Sequence, residues 1–333
     1  MTPIEMNGLC GSSPIGAMAA FGLLRVCSQI GELGAVALGW KQTSDWHPVL
    51  AVSKGASSAT DLARLLTNHL RSRYQAPFLT WQDDIKVEPE ILRTRLSEVR
   101  HSANRQSNEV ASFFAAFGSE FITARSTPDV KPTAFHMSAG QQKFLKSARE
   151  LAESISPARR PSRGQTAAAV QAETESAFAE ALAGPWRYQD TQHALGWDPA
   201  TEALGALSSI APSKAGPASV RAAVWLAFEA LPLFPCVPSG RKLETRCFAM
   251  IDREFESFTW PLWNSAISLT TLQSLLALDA LNQNEPLPRD LTSRGIKAVY
   301  RSKCFRDGNG RGTLRHAVRC SMANGQLRAA ARK

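Results

Sequence analysis

Apolar residues recur along this chain at two spacings, three-to-four and two. The alternation between these rhythms predicts an α+β protein, mostly helical, with small antiparallel sheets and a C-terminal basic β-hairpin. The first strong helical pattern spans residues 14–27, where Ala17, Ala20, Phe21, Leu24 and Cys27 share a face. Ser13 is placed to cap this helix and Pro14 to open it, because proline lacks an N–H that the first turn leaves unpaired anyway. The small residues Gly16, Ala17, Ala19, Ala20 and Gly22 would let another backbone approach closely. "AVALGW" and "HPVLAVS", separated by "KQTSD", then read as the arms of a hairpin. "SATDLARLLTNHLRSRY" sets Leu62, Leu65, Leu66 and Leu70 on one helical face. Further helices are expected over 88–100, over 107–121, and in "MSAGQQKFLKSARELAESI", with Ser138 as the cap of the last.

"SPARRPSRGQ" combines proline, glycine and arginine, the chemistry of a linker or exposed loop. It divides the expectation into an N-terminal α+β domain (1–155), a linker or loop (156–167) and a C-terminal α+β domain (168–333). "TAAAVQAETESAFAEALAG" resumes helix and stops at Gly184-Pro185. "PASVRAAVWLAFEALPLFP" is a helix, "LETRCFAMIDREFESFTW" one or two strands, and "SLTTLQSLLALDAL" a helix capped at Ser268. Near the end, "GIKAVYRSKCF" alternates in part, "DGNGRG" is turn chemistry, and "TLRHAVRC" returns as a second strand. A period of two would place Lys297, Arg301 and Lys303 on one face of the first strand.

Charge sharpens this picture. The 333 residues carry 38 Lys+Arg and 29 Asp+Glu, a net charge of +9. Residues 289–333 hold 12 of the basic residues and 2 of the acidic ones, so the basic excess is entirely C-terminal. Asymmetry of this kind points to an anionic partner such as nucleic acid. The candidate phosphate contacts are Arg294, Lys297, Arg301, Lys303, Arg306, Arg311 and Arg315. A second candidate is "GQQKFLK", where Gln141, Gln142 and Lys143 would sit in the first turn of a helix, whose N–H groups favour phosphate. Glutamine can also read base edges.

Catalytic chemistry is not evident. The six cysteines form no C-x-x-C pair and the six histidines no H-x-x-x-H pair, which argues against a zinc site. A chain this long needs no disulfide framework, and reduced thiols in a cytoplasm are expected. No secretory signal is recognised, and the apolar stretch 15–27 is shorter than the about 20 residues that a bilayer requires. "DGNGRG" lacks the Lys-Ser/Thr ending of a P-loop, and Pro14 spoils "GSSPIG" as a nucleophile elbow. Asp83-Asp84 is a carboxylate pair that could hold a divalent ion but reads as a turn. No histidine has an obvious relay partner in the sequence. Trp186, Trp197, Trp225, Trp260 and Trp263 lie among Leu, Phe and Pro and are expected in the core. The expectation is a binding protein rather than an enzyme, with no cofactor and no membrane.

Several stretches, taken in order, resemble a family. "GSSPIGAMAAFGLLRV" is similar to the opening of large-subunit-type proteins of type I-G (formerly I-U) CRISPR–Cas loci. "FHMSAGQQKFL", "PWRY", "LGWDP", "WLAFEALPLFP", "TWPLW", "SLTTLQSLLAL" and "RGIKAVYRSKCF" follow in the same order, so the likeness reaches from about residue 8 to about residue 305. The resemblance implies a non-enzymatic subunit of an RNA-guided surveillance (Cascade) complex. Its implied partners are guide RNA, target DNA, other CRISPR effector subunits and a helicase-nuclease, with a part in recognising the short PAM duplex beside the target. In such complexes base pairing carries most sequence identity. At 333 residues the chain is short for a full large subunit, which would leave a helical portion to a separate small subunit. Two alternatives stand beside this reading. One is a metal-dependent nuclease using Asp83, Asp84 and Asp252. The other is a scaffold whose basic tail meets an acidic protein.

Overall fold

The computed structural model describes residues 1–102, 105–138, 142–190, 195–200, 218–251, 255–283, 291–308 and 310–320. Its class is the α+β mixture that the two spacings predict, with small antiparallel sheets. The chain opens with β1 (Thr2–Glu5), followed by α1 (Pro14–Cys27). β2 (Val36–Gln42) and β3 (Trp46–Val52) form the expected hairpin. β1 adds to its other edge, giving the order β1-β3-β2. Along β3 the burial alternates strictly, with Trp46, Leu50 and Val52 facing the core. β1 is not legible in the sequence because Ile4 is the sole residue of the strand that is buried.

α2 (Ala59–His69) starts at Ser58, whose hydroxyl accepts from the Asp61 N–H, as an N-cap should. A short α3 (Pro77–Thr80) and α4 (Pro89–His101) lead into α5 (Arg105–Phe117). α5 is shorter than expected. At Gly118 the chain turns into β4 (Gly118–Thr123), which pairs with β5 (Val130–Pro132). α6 (Phe144–Ser154) also starts later than expected: Lys143, not Ser138, occupies its N-cap position. α7 (Ala167–Ala183) is capped by Thr166 and ends at Gly184, whose φ is +68°. α8 (Arg221–Glu229) is buried along all but its first residue. The segment 160–164 is exposed as its composition suggests. Helices from before and after it pack together, α1 on α8 and α2 on α7, and one continuous cluster of buried apolar residues runs from Ile4 to Cys320.

β6 (Cys236–Ser239) and β7 (Lys242–Thr245) make a two-stranded ribbon. β8 (Phe248–Met250), β9 (Glu256–Trp263), β10 (Ile296–Arg306) and β11 (Gly312–Leu314) form the largest sheet, in the order β11-β10-β9-β8, and β12 (Val318–Arg319) also pairs with β10. α9 (Leu269–Leu276), capped by Ser268 as expected, lies between β9 and β10 in sequence. Leu38 of β2 bridges to Ile267 in the segment that follows β9.

The centre is α1, buried along its whole length. Its Phe21 stacks on Trp263 at 6.1 Å and meets Trp40 edge-on at 6.3 Å. On its other side α8 comes so close that a Cβ at Gly22 would lie 1.8 Å from the Leu226 carbonyl oxygen. The run of small residues thus serves a backbone-to-backbone contact. Trp197, Trp225, Trp260 and Trp263 are buried, as expected, and Trp186 is half-buried with its Nε1 donating to the Ala181 carbonyl. No described helix is long and apolar enough to cross a membrane.

Candidate nucleic-acid interface

β10 is the backbone of the candidate site, and it is not a protruding ribbon. β9 pairs along most of one edge, while β11 and β12 share the other. β11 is itself tied down, since the Gly312 N–H donates to the Met137 carbonyl and the Leu314 N–H to the Gly196 carbonyl. The expected hairpin therefore forms as the margin of a larger sheet. The turn "DGNGRG" closes it: Asp307 accepts from the Arg311 N–H through its side chain, and Gly310 takes φ +81°. That conformation suits glycine, because a residue with a side chain is strained at such a φ.

The strand sorts the candidate cations. Arg301 was expected on an exposed stripe, and its burial corrects that expectation. It is 9% exposed, and its guanidinium donates to Thr259 Oγ1 (3.0 Å) and to the carbonyls of Leu281 (3.2 Å) and Gln283 (2.7 Å). Thr259 is the residue directly opposite on β9. Both faces of β10 are covered at this point, so the arginine ties the 279–283 turn to the sheet. Lys297 is exposed, but an extra residue between Ile296 and Ala298 shifts the register there. Such a bulge breaks the alternation that would have grouped Lys297 with Arg301. Arg306 is exposed at the strand end, yet two of its nitrogens donate to the carbonyls of His136 and Ala134, each at 3.0 Å. Arg294 and Arg311 are exposed in the turns flanking the strand.

Lys303 and Arg315 are exposed and come together. The Arg315 N–H donates to the Lys303 carbonyl, which sets the two side by side. The Arg315 guanidinium lies 4.7 Å from the centre of the Phe305 ring, and the Lys303 ammonium 5.2 Å from that of Phe255. Phe305 follows Lys303 by two residues, so both share a face of the strand. It is 38% exposed, uncommon for a phenylalanine in a sheet. The result is a cation–aromatic–cation surface. Cations there can meet phosphates, while rings and a planar guanidinium can stack on bases. The sequence reading missed both phenylalanines. Phe305 carried a signal, being an aromatic at the expected exposed end of an alternating strand. Phe255 carried none, since its place beside Lys303 depends on strand pairing.

The second candidate fares differently. Lys143 is exposed and Gln142 half-buried, but both precede the first turn of α6, which begins at Phe144. They therefore do not form the helix-start site that the sequence suggested. Gln141 lies outside the described residues.

The two carboxylates of the nuclease alternative that lie among the described residues are each engaged. Asp83 pairs with Arg149 at 2.7 Å, while Asp84 accepts from buried His136 at 2.8 Å, so the two carboxylates serve separate partners. His136 thus has the partner that the sequence did not reveal. Burial opposes the Asp84 charge, but the His136 hydrogen bond and charge outweigh it and hold that carboxyl below the usual range. Burial lowers His136 in turn, with Asp84 partly opposing it. Burial pushes the Cys304 thiol up and the Cys247 thiol to about 12, so neither is a ready nucleophile. Among the described residues no cluster of His, Cys, Asp or Glu could hold a metal ion. Asp252 lies outside them.

A further charge network lies at the helix junction. Arg25 of α1 reaches Glu229 of α8 at 2.7 Å and Glu109 of α5 at 2.6 Å. Arg73 bonds the same two carboxylates, at 2.6 Å to Glu229 and 2.7 Å to Glu109. Both guanidiniums stack over Phe113, at 4.9 and 5.5 Å, and Arg73 also lies over Phe78. Burial pushes Glu109 up, but the hydrogen bonds and charges of Arg73 and Arg25 win and bring it to about 2. Two positive and two negative groups neutralise one another here, so the network is a structural joint.

No family model, no curated protein and no solved structure matches the chain.

Proposed function

We propose that this chain is a non-enzymatic, nucleic-acid-binding subunit of an RNA-guided CRISPR type I complex, and that it holds guide RNA or target DNA on the margin of its largest sheet. The observation that carries this reading is the surface made by Lys303, Phe305 and Arg315, with Phe255 beside it. It lies in the segment that holds the whole basic excess of the chain. Arg294, Lys297 and Arg311 extend the exposed positive charge along the same region. Lysine and arginine attract phosphates irrespective of sequence, and stacking on aromatic rings tolerates any base. The ordered resemblance to type I-G large-subunit-type proteins supplies the complex, and with it a contribution to PAM recognition. The nuclease alternative has less support, because Asp83 and Asp84 are bonded to Arg149 and His136 rather than to each other's site.

The test is affinity purification of the tagged chain from cells that carry its neighbouring genes, with sequencing of the RNA that comes with it. The reading predicts short RNAs bearing a common repeat, together with other protein subunits. Recovery of the chain alone, without RNA or subunits, contradicts it.

A further inference from the structure

On the side of β10 to which Arg306 turns, opposite Phe305 by the alternation of the strand, there is a cleft of about 450 Å³. That volume falls in the range of small-ligand sites, roughly 300–1,000 Å³. Four cations from four parts of the chain converge on it: Lys86 ahead of α4, Lys131 on β5, Lys242 on β7 and Arg306 at the end of β10. None of these four makes an ion pair among the described residues. Arg25 and Arg73, by contrast, are paired with carboxylates. Like charges gathered around a low-dielectric concavity repel one another and raise the local affinity for anions. Glu244 and Glu256 also line the cleft, two carboxylates against four cations, so the excess stays positive.

The cleft is braced rather than loose. Arg306 is held by the carbonyls of His136 and Ala134, and His136 is fixed in turn by Asp84. The Thr245 hydroxyl accepts from the Ala134 N–H, which joins β7 to the same wall. The remaining lining includes Leu243, Phe248 and Met250, the last 54% exposed. The lining therefore combines cations with apolar side chains, which is more than a bare anion needs.

We infer that this cleft binds a phosphate monoester carried on an organic body the size of a nucleoside, with the phosphate among Lys86, Lys131, Lys242 and Arg306 and the body against Phe248 and Met250. Such a group has two sources, a free mononucleotide or the 5′ end of a strand. The inference does not rest on strand binding at Lys303, Phe305 and Arg315, which occupy the other side of β10.

The experiment is a calorimetric titration of the full chain with AMP, with adenosine and inorganic phosphate as comparisons. Saturable binding of AMP is expected, at least about tenfold tighter than adenosine or phosphate alone. The pair Lys131→Ala with Lys242→Ala should weaken AMP at least about tenfold, while Lys54→Ala, a loss of exposed charge elsewhere, should leave it unchanged. Lys242 is exposed, so Lys242→Glu alone provides a variant whose folding is not at risk, and it should also weaken AMP. Single-stranded DNA of about ten nucleotides, with a 5′-phosphate or a 5′-hydroxyl, separates the sources. Preference for the phosphorylated end assigns the site to strand ends, and equal binding of the two strands assigns it to free mononucleotides. No AMP binding, equal binding of AMP and adenosine, phosphate alone as tight as AMP, or folded variants with undiminished affinity would each overturn the inference.

Discussion

Substituting Gly22→Ala should destabilise the protein, although alanine is the better helix former. Gly22 lies inside α1, where replacing glycine by alanine ordinarily gains about 1 kcal/mol. Against that gain stands the contact with α8. The added Cβ would be 1.8 Å from the Leu226 carbonyl oxygen, 2.8 Å from its carbon and 3.0 Å from the Ala230 nitrogen. A carbon and a carbonyl oxygen rest at about 3.3–3.6 Å, so the helices must part by roughly 1.5 Å. The obstacle is backbone and cannot rotate aside. Overpacking a close-packed interior costs typically about 1–3 kcal/mol, and the upper end applies here. Parting α1 from α8 also stretches the 2.7 Å Arg25–Glu229 pair, one turn further along. The net expectation is a loss of about 2 kcal/mol or more, read as a lower urea midpoint by circular dichroism with an unchanged slope. Gly31→Ala is the control, because its Cβ would meet nothing within 4 Å. It should stay within about 0.5 kcal/mol of the parent or gain slightly. A Gly22→Ala protein as stable as the parent would refute the close crossing of α1 and α8.

Arg25→Met should cost about 3–5 kcal/mol, since it strands the fully buried Glu229 carboxylate beside a single remaining partner; urea titration checks this, and a loss below about 1 kcal/mol would contradict the network. Glu109, at about 2 in the fold against an ordinary 4.5, favours folding most when ionised. Its contribution, on the order of 3 kcal/mol, is complete above pH 4.5 and is lost as pH falls from there toward 2. Glu109→Gln should therefore flatten the fall of the urea midpoint over that window, and parallel curves for variant and parent would contradict the assignment. Arg301→Ala should cost about 2–3 kcal/mol of stability through its lost hydrogen bonds to Thr259, Leu281 and Gln283. A variant of full stability that binds DNA poorly would instead return Arg301 to the interface.

Much of the fold was legible because local rules set it. Ser268 caps the helix it precedes and the period-two pattern of Trp46–Val52 marks a strand with one buried face, whereas Ser13 stands at the start of α1 without a side-chain cap bond and Ser138 lies ahead of α6. The close approach at Gly22 was foreshadowed by small residues at helical spacing. Features that depend on distant partners were not legible. Arg25 and Glu229 are 204 residues apart, and no local pattern links them. Arg301 looked exposed because it shares a strand with Lys303. The sequence does not show that β9 and the 279–283 turn enclose one residue and leave the other in solvent. Of the expected stripe, Lys303 and Arg315 remain at the surface together, Arg306 is drawn into the wall of a cleft, and Lys297 is displaced by a bulge. The aromatic half of the candidate surface is hidden in the sequence, because Phe255 reaches Lys303 only through strand pairing.

The central claim is that Lys303 and Arg315 hold phosphates while Phe305 stacks on a base. Fluorescence anisotropy of the purified chain with a labelled DNA single strand, measured between about 50 and 200 mM salt, tests it directly. Each lost phosphate contact lowers the slope of log K against log[salt] by roughly 0.7–0.9. Lys303→Ala with Arg315→Ala should lower the slope by about 1–2 and weaken binding alike for different sequences, since phosphates carry no sequence information. Phe305→Ala should weaken binding by about 1–3 kcal/mol, the worth of one stacked base, and leave the slope unchanged. Unchanged affinity and slope in the double variant, with folding intact, would contradict the account.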